Sequence, residues 1–134
     1  MHRSLQAVTF DCWSTLIVSV DGERPHARRV HALEVIAEVH DGNTNQLAAE
    51  RALSRAWALH WERWSAGLPS DARSIARTAL EQLGVSEDSA VEPLVTELAR
   101  AVGPDDIRAL PGARSLLEGL AELGIRLALI CDTG

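Results

Sequence analysis

The chain has 134 residues, 46% of them hydrophobic and 24% charged, with a net charge of −6 and an isoelectric point near 5.3. That is the composition of a soluble globular protein long enough for a real core, and it excludes a basic nucleic-acid binder. No apolar run is long enough to span a bilayer, and no basic-then-apolar leader precedes the first apolar segment, so a cytoplasmic protein acting on a small molecule is expected.

The first element is a short apolar strand, Ala7-Val8-Thr9-Phe10, that ends on Asp11, followed by Cys12-Trp13-Ser14-Thr15-Leu16. A buried strand that carries a carboxylate to its C-terminal tip is one way to present a nucleophile, because open α/β sheets place their chemistry outside the carboxyl ends of the strands. The same residues also fit an ordinary strand with Asp11 capping the next turn.

Between residues 22 and 104 the pattern is helical throughout. A helix over 25–40 aligns Val30, Leu33, Ile36 and Ala37, and Asp41-Gly42-Asn43 ends it. Thr44 stands where an N-cap belongs. The second helix, to about residue 66, repeats Leu53, Trp57, Trp61 and Trp64 at spacings of four, four and three. Such a stripe is expected in a core, with a pocket wall as the other reading. Gly67-Leu68-Pro69-Ser70 breaks the chain. A third helix over 71–83 aligns Ile75, Ala79 and Leu83, and Gly84 closes it. Ser86 is expected to cap a fourth helix, with Glu87 and Asp88 in its first turn, where the helix dipole favours acids. Its stripe is Val91, Leu94, Val95, Leu98 and Val102, and Pro93 falls near its start. Four helices with short connections suggest an antiparallel bundle.

Pro111-Gly112 then opens a helix with Leu116, Leu117, Leu120 and Leu123 at helical spacing, and Gly124 stops it. Ile125 to Ile130 is a second apolar strand leading into Cys131-Asp132-Thr133. If the two strands are neighbours, Cys12 and Cys131 lie close together. Two cysteines are too few for a disulfide framework and should be reduced in the cytosol. The histidines at 2, 26, 31, 40 and 60 show no ligand-like spacing and receive no role.

Residues 5–20 and 107–134 resemble the haloacid dehalogenase (HAD) superfamily, with Phe10-Asp11-Cys12-Trp13-Ser14-Thr15 similar to its motif I and Ile130-Cys131-Asp132-Thr133 similar to its motif II. The resemblance implies an α/β fold: a HAD-like Rossmannoid core formed by 1–20 and 105–134, with parallel strands, and a four-helix cap inserted over 21–104. The family's third and fourth motifs follow motif II, so the chain is read as the N-terminal portion of a longer hydrolase. Such a portion is expected to be inactive by itself.

The resemblance implies Asp11 as the nucleophile, Thr15 as the brace of its loop, and Trp13, Ser14, Cys131, Asp132 and Thr133 around the substrate. Ser14 stands where the family commonly has glycine. By direct alignment Cys131 is the motif II residue, with Thr133 the alternative if the strand ends later. Arg24, Arg28 and Arg29, at the start of the cap, are placed where family dehalogenases bring in an arginine for the substrate carboxylate, although a solvated helix face is the commoner origin of such arginines. HAD phosphatases carry a second aspartate two residues after the nucleophile as general acid and base; Trp13 can do neither. A departing halide needs no proton, so dehalogenase-like chemistry on a small 2-haloacid is favoured, without a cofactor. The alternatives are a phosphatase with an atypical motif I, in which Mg2+ binds Asp11 and the Trp13 backbone carbonyl, and a catalytically silent interaction module. No nucleic-acid or membrane partner is expected, and the oligomeric state is left open.

Overall fold

The computed structural model describes residues 5–131. It is a mixed α/β structure: among the described residues it has five α-helices and short strands in one parallel and one antiparallel pair. The chain divides into two compact units, one made of the residues up to Gly22 and from Pro104 onward, the other of Glu23–Gly103.

In the first unit, β1 (Ala7–Asp11) pairs in parallel with β4 (Arg126–Ile130), in a register that runs from Ala7 opposite Arg126 to Asp11 opposite Ile130. Parallel strands need a long crossover, and residues 12–125 supply it. Helix α5 (Ala113–Glu122) leads into β4. Gly112, its N-cap, has φ +83°, and Gly124, beyond its end, has φ +72°, so glycine stands at both turns that require the left-handed region. A ribbon of β2 (Ile17–Ser19) and β3 (Ile107–Ala109), antiparallel, was not anticipated from the sequence. Strands of three residues are too short to show a period of two. The ribbon is extended by the Val20 N–H donating to the Asp106 carbonyl at 2.8 Å.

The leucine stripe of α5 departs from expectation. Ala113 is its buried residue, whereas Leu116 is exposed, Leu123 is 76% exposed, and Leu117 and Leu120 are half-buried. All five residues of β4 are exposed as well. A helix can bury its apolar face only against as much sheet as lies beside it, and here the sheet is two strands wide among the described residues.

The second unit is built from α1 (Glu23–Val39), α2 (Gln46–Ser65), α3 (Ala72–Gln82) and α4 (Val91–Arg100). The α1–α2, α2–α3, α3–α4 and α4–α1 pairs all pack together around a core that includes Leu33, Leu53, Leu80 and Leu94. The tryptophans are not at its centre. The buried stripe of α2 is Ala49, Ala52, Leu53, Ala56 and His60. Trp57 and Trp61 each follow a residue of that stripe by one position, about 100° around the helix. Trp57 is therefore half-buried, while Trp61 and Trp64 are 54% and 52% exposed. Alanines on the buried face let neighbouring helices approach closely.

Two expected caps move. Asn45, not Thr44, caps α2: its side chain accepts from the Ala48 N–H at 2.9 Å, while the Thr44 hydroxyl is buried without a hydrogen-bond partner. Ser86 caps nothing, because a 3-10 turn over Asp88–Ala90 feeds directly into α4 and Ala90 makes no side-chain cap. Asp71 does cap α3, accepting from the Ser74 N–H at 2.8 Å and the Ser74 hydroxyl at 2.7 Å. Those two hydrogen bonds, the hydroxyl's first, hold its carboxyl below the usual aspartate range. At the end of α1, Asp41 takes φ +56° and the Gly42 N–H returns to the Ala37 carbonyl at 2.8 Å. A Cβ on Gly42 would lie 2.7 Å from Val85 Cγ2 and 2.8 Å from that carbonyl oxygen, so the close approach requires glycine.

Candidate functional site

Asp11 is the last residue of β1, exposed at the C-terminal tip of a strand whose parallel partner ends beside it. The loop that follows folds back on itself at once. The Cys12 carbonyl accepts from the Leu16 N–H at 2.9 Å and from the Ile17 N–H at 3.1 Å, and the Ser14 N–H donates to the Ile17 carbonyl at 2.8 Å. Leu16 is buried and anchors the loop. The Thr15 hydroxyl donates to Asp11 Oδ2 at 3.1 Å. One carboxylate oxygen is thus oriented by its own loop, four residues away.

Ser14 sits at φ +60°, in the left-handed region that costs a non-glycine residue of order 1 kcal/mol or more. The backbone conformation, then, is one for which glycine is best suited, and the side chain departs from it. Trp13 bridges to Ile17 through the backbone, and its side chain is 43% exposed. Two residues beyond Asp11, where a proton donor could stand, there is an indole with no acid–base capacity near neutral pH.

Cys131 follows the last residue of β4 and is half-buried. Asp132 and Thr133 lie outside the described residues. The three candidate arginines belong to the helical unit and differ there. Arg24 and Arg28 are exposed, and the Arg28 guanidinium donates to the Ala101 carbonyl at 2.7 Å. Arg29 is half-buried, donates to the Leu98 carbonyl at 3.4 Å and lies over the Trp57 ring at 5.8 Å. Burial lowers its pKa from the ordinary guanidinium value.

Sequence reasoning missed two polar features. Asp106 is 1% exposed within the strand-bearing unit, and a carboxylate so deeply buried is uncommon; the adjacent acids Asp105 and Asp106 gave no signal of it. His60 is buried on α2, its Nδ1 2.9 Å from the Ser70 hydroxyl and its ring edge-on to Trp57, which makes it a hydrogen-bonded core histidine.

No group of three or more His, Cys, Asp or Glu side chains able to hold a metal occurs among the described residues. Asp11 and the Trp13 carbonyl are two oxygen donors, fewer than a divalent cation requires without water or substrate. No described helix is long and apolar enough to cross a membrane. The chain matches no protein-family model, and no curated protein matches it.

Proposed function

We propose that this chain carries the nucleophile of a HAD-like hydrolase, and that its chemistry is dehalogenase-like, directed at a small 2-haloacid. The observation that carries the reading is the Asp11 tip: a carboxylate at the C-terminal end of a parallel strand, with Thr15 on one of its oxygens and an indole at the second position after it. In this reading the Asp11 carboxylate attacks the carbon bearing the halogen. A carbon–oxygen bond forms, the carbon–halogen bond breaks, and the halide leaves with its electron pair. Water then hydrolyses the ester at the Asp11 carboxyl carbon, releasing the 2-hydroxyacid. The halide leaves without a proton, which is what makes Trp13 tolerable in the first step; in the second, a proton from the attacking water passes to the departing hydroxyl oxygen. The helical unit would serve substrate selection. In the phosphatase alternative, Asp11 and the Trp13 carbonyl would supply two oxygen ligands to Mg2+, with water and substrate completing its shell.

The test is halide release from a 2-haloacid by the proposed hydrolase, of which this chain would be the N-terminal portion, with a single turnover run in 18O-labelled water. The label is expected in Asp11, located by mass spectrometry of the peptide, and Asp11→Asn should reduce halide release to the uncatalysed background. Label found only in the product, or release surviving Asp11→Asn, would overturn the role given to Asp11.

A further inference from the structure

We propose that Cys12 and Cys131 form a redox pair, closing to an intramolecular disulfide by exchange with a low-molecular-weight disulfide such as oxidised glutathione.

The register sets the pair. Phe10 lies opposite Leu129 and Asp11 opposite Ile130, and that register continued one level past the ladder would set Cys12 opposite Cys131. Side chains alternate along a strand, and in-register residues of parallel neighbours share a face. Cys12 therefore falls on the face of Phe10, and Cys131 on the face of Leu129. An independent observation agrees: Cys12 and Leu129 line the same cavity of about 430 Å³, with Leu16, Ala113 and Leu117. Neighbouring strands run about 4.7–4.9 Å apart, inside the roughly 4.4–6.8 Å that a disulfide spans between Cα atoms. The ladder itself ends at Asp11 and Ile130, so a small shift at the next level breaks no strand pairing. Both residues are reduced thiols and half-buried, within reach of a small oxidant.

The exchange balances. One protein thiolate attacks a sulfur of the oxidant, whose S–S bond breaks and releases one glutathione thiolate. The second protein thiolate then displaces the other glutathione. Two protein thiols are oxidised to one disulfide, one oxidant disulfide is reduced to two thiols, and the two protons pass to the departing thiolates. The bond would clamp the base of the Asp11 loop, where the Cys12 carbonyl holds Leu16 and Ile17, to the tip of β4. Its bearing on catalysis rests on the function proposed above; its formation does not, and is read by mass rather than by activity.

The 134-residue chain is treated with oxidised glutathione, quenched, alkylated and weighed, once under native conditions and once in denaturant. The expected native product is a monomer lighter by two hydrogens, with neither cysteine alkylated. Closure should slow by at least about tenfold in denaturant, where the ends of a long loop must find each other. Cys12→Ser and Cys131→Ser should each stop at a stable glutathione adduct on the remaining cysteine. A native chain that keeps both thiols, accumulates two glutathione adducts, links to a second chain, or closes equally fast in denaturant would overturn the pair.

Discussion

The two units of this protein divide burial and chemistry unequally. The helical unit holds all but two of the buried apolar residues among those described; the exceptions are Leu16 and Ala113. The strand-bearing unit holds Asp11, its oriented carboxylate and both cysteines, yet β4 is exposed along its whole length and Ile130 is 66% exposed. A helix pair can be satisfied by two or three neighbours. A parallel strand needs partners on both edges and cover on both faces, and among the described residues β4 has one partner and partial cover. The unit that carries the candidate chemistry is therefore the one with the smaller store of packing energy.

The comparison can be pressed first at the site. If Trp13 replaces a general acid, Trp13→Asp in the proposed hydrolase should raise hydrolysis of phosphate monoesters with basic leaving groups, by up to about 10²-fold where an acid supplies 10²–10⁴. It should do little for nitrophenyl phosphate and should not raise halide release. A leaving-group series on both proteins reads this. Efficient alkyl phosphate hydrolysis by the unmodified protein, without halide release, would favour the phosphatase alternative.

Packing gives the next largest contrast. Leu94→Ala removes a fully buried side chain of the helical core and should cost about 2–5 kcal/mol. Leu129→Ala, at 61% exposure, should cost no more than about 0.5 kcal/mol. Denaturant midpoints of the two variants check the difference, and similar losses would mean that β4 is covered in solution. Gly42→Ala tests the tightest turn of the helical unit. The new Cβ meets backbone at Ala37 and a methyl of Val85, and about 1–3 kcal/mol of overpacking cost is expected, again as a midpoint shift.

The smallest effect is the cap of α3. Asp71→Ala should cost about 1 kcal/mol near neutral pH. The folded carboxyl is held below its usual value by the Ser74 hydroxyl and then the Ser74 N–H. A depressed pKa stabilises the fold above the unfolded-state value of about 3.9, and that contribution fades as pH falls through the lower folded value. The gap between Asp71→Ala and the parent chain should therefore narrow under acid, followed by thermal melts from pH 6 downward.

Much of the local structure was legible in the sequence. A short apolar run ending on an aspartate marked β1, helical spacing marked α1, α3 and α4, and Gly112 and Gly124 bracketed α5, because those signals are set by a residue's near neighbours along the chain; the expected burial of β1 is not met, since only Val8 and Phe10 are half-buried. Adjacent parallel pairing of strands near 5–11 and 125–131 was also expected, and the register shows it for 7–11 and 126–130. Legibility failed where two elements had to meet. The caps at Thr44 and Ser86 were misplaced because several polar residues in a row each satisfy the same local preference. Trp61 and Trp64 repeat at helical spacing on a face that stays about half exposed, with ring contacts along their own helix, since periodicity finds a stripe but not the helix it packs against. Leu116 and Leu123 look like core on the same grounds and stay exposed beside a narrow sheet.

The site divides in the same way. That Asp11 ends a strand and that Thr15 follows it by four are facts of sequence. That the Thr15 hydroxyl reaches Asp11 Oδ2, that Ser14 takes a left-handed conformation, and that Asp106 is buried are decided by the fold. So is the register that sets Asp11 opposite Ile130, which are far apart in the chain. Sequence by itself determined the turns, caps and apolar faces that a few neighbouring residues control. Only the tertiary structure decided which faces found partners and which distant residues share a level, because those depend on strand register and on how much surface each neighbour covers.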